Sequence, residues 1–141
     1  DEFKEMAFEG MSCVIALEDD IDISRGDMIV KSNNLPEITQ DLSAMICWFN
    51  ERPARDRAKY TLKQTSNEPK AMIKEIEYKV NIDTLKRNEE DKTLNMNDIC
   101  KVKIRTTSPI MKDDYAQNRK TGSFILIDEA TNETVAAGML F

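Results

Sequence analysis

Cys100-Lys-Val-Lys-Ile-Arg-Thr-Thr-Ser-Pro-Ile-Met111 alternates in its first half: Cys100, Val102 and Ile104 take one side, Lys101, Lys103 and Arg105 the other. A period of two, apolar against charged, predicts a strand with one face buried and one in water. After a loop come Gly122-Ser-Phe-Ile-Leu-Ile-Asp128 and Thr134-Val-Ala-Ala-Gly-Met-Leu-Phe141. Gly122 opens the first of these, and Asp128 to Glu133 reads as the hairpin between them, so the chain closes by adding strands to one small sheet.

Working back from this stretch, Asp41 to Phe49 alternates too, with Leu42, Ala44, Ile46 and Trp48 on one side. Its other side, Ser43, Met45, Cys47 and Phe49, is also largely apolar, which predicts a central strand or one that meets a neighbouring domain. Ala58 to Lys63 and Met72 to Ile82 read as two more strands, the second with Ile76, Tyr78 and Val80 inward. Residues 41–49, 58–63, 72–82, 99–107, 122–128 and 134–140 then give six short strands without a strong amphipathic helix, so the fold class is all-β and the architecture a barrel.

Upstream, Met11 to Leu17 and Met28 to Lys31 read as strands flanking a polar hairpin in which Gly26 can take a positive φ. Asn33-Asn34-Leu35-Pro36 breaks any continuing strand. The predicted division is therefore 1–34, the last strands of one barrel, and 35–141, a six-stranded barrel. A first residue of Asp1 and a last of Phe141 after an apolar strand suggest a piece of a longer protein.

Of the 141 residues, 40% are hydrophobic and 33% charged, which fits a globular domain and excludes disorder or a helical membrane span. The net charge of −6 argues against general affinity for a nucleic-acid backbone. Cys13, Cys47 and Cys100 lie in apolar runs without paired spacing, as in a reducing cytoplasm, and Asp1 to Glu5 lacks the features of a signal peptide. Asn132-Glu133-Thr134 matches a glycosylation acceptor, without meaning in such a compartment.

The sequence has no histidine, which removes Ser-His and Cys-His nucleophile pairs, histidine bases and nearly all familiar zinc sites. Asp20, Asp22 and Ser24 imitate a calcium loop, but glycine falls one place late and Lys31 replaces the bidentate glutamate. Glu89, Glu90 and Asp91 are consecutive and so share no face of a helix or strand; the charged stretch Asp83 to Asp98 reads as a helical turn or a long solvated connection. No catalytic, cofactor-binding or metal-ligating residue is assigned. Two loops remain as candidate interface elements: the basic turn Arg52 to Lys59, with Tyr60 beside it, and Asp113 to Arg119.

Several blocks carry a resemblance. Leu17-Glu-Asp-Asp-Ile-Asp-Ile-Ser-Arg-Gly-Asp-Met-Ile-Val30 resembles the end of the second domain in the GTPase subunits of bacterial sulfate adenylyltransferase, a family similar to elongation factor Tu. Within it, Ile23-Ser-Arg-Gly-Asp27 is shared more widely with translational GTPases. Ile76-Glu-Tyr-Lys-Val-Asn-Ile-Asp-Thr-Leu85, Asn97-Asp-Ile99, Tyr115-Ala-Gln-Asn-Arg-Lys-Thr-Gly-Ser-Phe-Ile-Leu-Ile-Asp128 and Thr131-Asn-Glu-Thr-Val-Ala-Ala-Gly-Met139 resemble that family's third domain.

The resemblance implies the C-terminal, non-catalytic barrel portion of a cytoplasmic subunit that couples GTP hydrolysis to formation of adenosine 5′-phosphosulfate and pyrophosphate from ATP and sulfate. It implies GTP and magnesium in a GTPase domain outside these residues, and as partners that GTPase domain and a small adenylyl-transferring subunit, with neither membrane nor nucleic acid. None of the glycines at 10, 26, 122 and 138 belongs to a phosphate loop, so these residues are expected to bind no GTP themselves. A barrel contacting transfer RNA is the competing expectation, and a fused adenylylsulfate kinase after Phe141 a third.

Overall fold

The computed structural model describes residues 5–55 and 57–141. Seven strands follow one another: β1 (Glu37–Trp48), β2 (Lys59–Lys63), β3 (Lys70–Val80), β4 (Arg87–Asn88), β5 (Ile99–Lys112), β6 (Ser123–Asp128) and β7 (Thr134–Leu140). All pair antiparallel, in the order β2-β6-β7-β1-β5-β3-β4, and a further β2–β3 pairing closes six of them into a barrel with β4 outside the ring. Among the described residues there is no helix.

Alternation built the core as expected. Leu42, Ala44, Ile46 and Trp48 from β1 meet Cys100, Val102 and Ile104 from β5, all with at most 2% of their surface exposed. Leu62, Leu126, Val135 and Leu140 close the interior from β2, β6 and β7. Burying such side chains stabilises the barrel by roughly 1.5–3 kcal/mol each relative to exposure. Gln64, fully buried, caps one end: its Nε2 donates to the carbonyls of Met111 (2.7 Å) and Thr121 (2.8 Å), holding the end of β5 and the loop before β6 to the residue that follows β2.

Both long strands exceed their predicted lengths, because β1 begins at Glu37 and β5 runs on to Lys112 through Pro109. The register explains the proline. Pairing steps from Thr39↔Ile110 to Asp41↔Arg105, so Thr106 to Pro109 stand opposite Gln40 and the exposed Thr107 to Pro109 bulge out, where no ladder N–H is demanded of Pro109. Gln40 Nε2 spans the bulge by donating to the Thr107 carbonyl at 3.1 Å.

Strand β3 departs from simple alternation. Its register against β5 slips between Ile73 and Glu75 and again between Ile76 and Tyr78. Each slip inserts one residue and reverses the faces beyond it. Ile76 points inward as predicted. Tyr78, by contrast, pairs with outward-facing Lys101 and carries the Arg87 guanidinium over its ring at 4.5 Å, and Val80 pairs with Ile99 on that same outer side. Lys79 takes the inward place opposite Cys100.

Between Asp83 and Asp98 no helix forms, and the expected helical turn is reduced to one i→i+4 bond that closes on Leu85. Asn81 accepts from Leu85 N–H at 2.7 Å and donates to the Lys86 carbonyl at 2.9 Å, making a tight hairpin into β4 with Leu85 at a φ of 58°. The β6–β7 hairpin is as expected: Asp128 N–H donates to the Glu133 carbonyl at 2.9 Å, and Asn132 takes the left-handed turn position at a φ of 59°.

The predicted strands Met11 to Leu17 and Met28 to Lys31 are unpaired, and residues 5–36 contain no strand. A β-strand exists by its ladder, and among the described residues no backbone lies alongside either stretch. Their apolar side chains stand in solvent accordingly: Val14 is 100% exposed, Ile29 69%. Gly26 does adopt the predicted positive φ, at 101°. The stretch Asp1 to Glu5, read for a signal peptide, lies outside the described residues up to Lys4, as does Asp56 of the basic turn.

Candidate functional site

The barrel has two unlike outer sides. Around β3 and β5 the outward residues are charged and paired: Lys101 with Glu77 at 3.4 Å, Lys103 with Glu77 at 3.6 Å and Glu75 at 3.7 Å, Arg105 with Asp41 through a short guanidinium contact. Around β1, β7 and β6 they are apolar. Met45 lies opposite Met139 and Cys47 opposite Ala137, and Ala137 in turn lies opposite Ile125. This shallow apolar face is rimmed by Lys63, Thr65, Tyr115 and Lys120. An outward sheet face of this composition is a surface built to be covered, which is what the doubly apolar run from Asp41 to Phe49 predicted.

The Asp113–Arg119 loop borders that face and is held rigidly. Tyr115 N–H donates to the Leu140 carbonyl (3.0 Å), Asn118 N–H to the Asp114 carbonyl (3.0 Å), and Thr121 Oγ1 to Asp113 Oδ2 (2.9 Å). Its outer residues Ala116 to Lys120 are exposed. Lys112, buried at the root of the loop, pairs with Glu37 at 3.3 Å and Asp114 at 3.6 Å. The N-terminal segment reaches the same end of the barrel: Glu9 pairs with Lys120, and Gly26 sits against the side chain of Asn67.

The basic turn is tied down differently. Trp48 Nε1 donates to the Arg52 carbonyl at 2.9 Å, Ala54 N–H donates to the Leu94 carbonyl at 2.9 Å, and Arg55 pairs with Asp128 at 3.4 Å. Tyr60, which would have had to stack on bases, is instead 2% exposed and packs edge-on against Trp48 with ring centroids 5.7 Å apart. Burial pushes its hydroxyl pKa up. The turn therefore offers cations but no aromatic platform.

Of the consecutive carboxylates, Glu89 and Glu90 are exposed, whereas Asp91 turns back to the barrel mouth. There Lys79 Nζ meets Asp91 Oδ2, Asp98 Oδ2 and Thr93 Oγ1, each at 2.9 Å. Hydrogen bonds from the Thr93 hydroxyl and from Lys79 hold the Asp91 carboxyl down at about 2. Burial lowers the Lys79 pKa, but its bonds to Asp98 and Asp91 outweigh this and leave it raised. The neighbouring Cys100 thiol is pushed up to about 12 by burial and by Asp98. A lysine neutralised by two carboxylates, beside a thiol that stays protonated, is a structural clasp with neither free base nor nucleophile. Sequence reasoning missed it because the bulge that turns Lys79 inward leaves no mark in the hydropathy pattern. Among the described residues no group of three or more His, Cys, Asp or Glu is placed to hold a metal ion. No described helix is long and apolar enough to cross a membrane.

Comparison with known proteins agrees with this architecture. A family model described as GTP-eEF1A C-terminal domain-like matches residues 41–140. The chain is 44% identical over 138 residues to the bifunctional enzyme CysN/CysC of Mycobacterium tuberculosis H37Rv, covering 95% of this chain and 22% of that one. It is 43% identical over 136 residues to sulfate adenylyltransferase subunit 1 of Sulfurovum sp. NBC37-1 (96% and 28% covered), and 39% over 134 residues to that of Bacteroides fragilis YCH46 (95% and 28%). It thus spans under a third of the length of these curated relatives. Among solved structures, Sup35 complexed with GDP superposes at a TM-score of 0.68 with 15% identity, over 77% of this chain and 26% of that one, which shows a shared fold.

Proposed function

Since the chain belongs to the GTP-eEF1A C-terminal domain-like family, we propose that it is the barrel portion of the GTPase subunit of a cytoplasmic sulfate adenylyltransferase. The observation that carries this reading is the near-complete coverage of the chain by relatives named as that enzyme. In this reading residues 1–34 complete a preceding barrel and 35–141 form the barrel described above. The remainder of the parent binds GTP and magnesium and hydrolyses GTP, and a small partner subunit transfers the adenylyl group of ATP to sulfate.

The barrel contributes rigidity and surface. Its core is closed, its loops are bonded to strand ends, and its apolar face at Met45, Cys47 and Met139 is of the kind a neighbouring domain covers. The unpaired apolar stretches Met11 to Leu17 and Met28 to Lys31 support a second unit whose other strands pair with them. A rigid body packed on a GTPase domain carries nucleotide-dependent movement to a partner without chemistry of its own.

A transfer-RNA-contacting barrel is the second reading, favoured by the match to the GTP-eEF1A C-terminal domain-like family and by the basic turn. The burial of Tyr60 and the pairing of Arg55 weigh against it. Reading the gene upstream of Asp1 tests the proposal: a phosphate-loop GTPase domain in frame is the expected result, and a start codon immediately before Asp1 would overturn it. Kinase sequence after Phe141 would identify the fused form.

A further inference from the structure

Strand β3 is paired with β5 along its length, but its opposite edge is occupied only at the ends. Lys70 to Met72 pair with β2, and Lys79 and Val80 pair with β4. Between them, among the described residues, no strand pairs with this second edge from Ile73 to Tyr78. Pro53, Ala54, Arg55 and Arg57, and the segment Lys92 to Asn95 that the Ala54–Leu94 hydrogen bond joins to them, stand across from this edge and make it one wall of a groove.

The groove has a consistent chemistry. Ile73 and Ile76 pack on the core and leave apolar surface at its base, with Leu94 buried beneath. Among the described residues, Arg55, Arg57, Lys74 and Lys92 line it against one carboxylate, that of Glu75, which is drawn toward Lys103 on the outer face. Among the described residues no ion pair is formed by Lys74 or Lys92. Lys92 Nζ donates instead to the backbone carbonyl of Glu77 at 2.8 Å, where a neighbouring strand would place an N–H.

We propose that this groove receives an extended, acidic segment of a partner polypeptide. Its backbone adds to the open edge of β3 at Ile73 to Tyr78, and its carboxylates meet Lys74, Lys92 and Arg57. An unpaired edge asks for alternating backbone donors and acceptors, which a polypeptide supplies. The two bulges and the lysines bar indiscriminate strand pairing, so the segment must bring negative charge. The apolar base favours alternation of acidic and aliphatic residues. Single-stranded RNA fits less well, because Glu75 lines the groove and, among the described residues, no aromatic ring does. The proposal is independent of the sulfate-activating reading.

The test uses a fluorescent decapeptide of alternating Glu and Val, titrated into the chain at low salt and followed by anisotropy. Expected are saturable binding and a loss of affinity on the order of tenfold or more in K74E/K92E, as for removing several charge contacts. The same peptide N-methylated at alternate residues should not bind, and amide resonances from Ile73 to Tyr78 should move on addition of the unmodified one. These last two readouts involve no change to the protein, so a misfolded variant cannot imitate them. Absent binding, equal binding of the N-methylated peptide, undisturbed amides in Ile73 to Tyr78, or tighter binding of a uridine-rich oligonucleotide at the same residues would each overturn the proposal.

Discussion

Phe124 lies directly opposite Gly138 in the β6–β7 ladder, and its ring covers the glycine so closely that a Cβ there would overlap the ring carbons. The bare strand position is filled from across the ladder by an aromatic side chain that is itself 4% exposed. Gly138→Val should therefore destabilise the barrel by about 1–3 kcal/mol through overpacking. Phe124→Ala should cost about 3–5 kcal/mol by opening a cavity. Because the two residues share one volume, the double variant should lose less than the sum, which urea denaturation of all four proteins measures.

Gly122 has a harder constraint. A Cβ on it would strike the backbone of Tyr115 and the carbonyl of Asn118, which no rotamer change can relieve. Gly122→Ala should shift the whole Asp113–Thr121 loop. Faster amide exchange from Tyr115 to Thr121, with a stability loss of about 1–3 kcal/mol, is the expected outcome. Unchanged exchange would show that the loop is not seated on this glycine.

At the barrel mouth, Asp91 is held at about 2, below its ordinary value of 3.8. A depressed carboxyl adds stability while ionised, so its contribution is complete above about pH 4 and fades as the pH falls toward 2. Lys79 is raised, so its share is present at neutral pH and disappears only as the pH climbs through a value above the usual lysine range. Asp91→Asn should flatten the fall in thermal midpoint between pH 4 and pH 2 and, with Asp98 alone left to hold Lys79, bring the alkaline loss to lower pH. In Lys79→Met the Asp91 carboxyl should titrate nearer its ordinary value, read by carbon NMR.

Cysteine reactivity should divide along burial. Cys13 is exposed, whereas the Cys100 thiol, buried and pushed up to about 12, is almost wholly protonated at pH 8. Its displacement from the ordinary 9.0 implies a thiolate fraction on the order of 10³ lower, so aromatic disulfide reagents should modify Cys13 at once and Cys100 on unfolding. Rapid labelling of Cys100 in the folded chain would contradict the packing described.

What could be read in the sequence was whatever one strand states by itself. The runs Leu42 to Trp48 and Cys100 to Ile104 announce their inward faces by simple alternation, and both were buried as read. Features that need two strands left no such mark. The slips in β3 that turn Tyr78 outward and Lys79 inward depend on register against β5. Pro109 is tolerated in β5 because of a bulge opposite Gln40. Met11 to Leu17 has the pattern of a strand but no ladder among the described residues. The apolar outer face was legible in Met45, Cys47 and Phe49, whereas the open edge at Ile73 to Tyr78 arises from where β2 and β4 stop.

The most direct test of the central claim is sulfate-dependent release of pyrophosphate from ATP by the full-length parent chain reconstituted with its small adenylyl-transferring partner, with and without GTP. The expected result is turnover that rises with GTP, alongside no detectable GTP binding by residues 1–141 alone. A full-length parent that neither joins the adenylyl-transferring subunit nor supports GTP-stimulated turnover, and instead forms a salt-sensitive complex with transfer RNA, would contradict it.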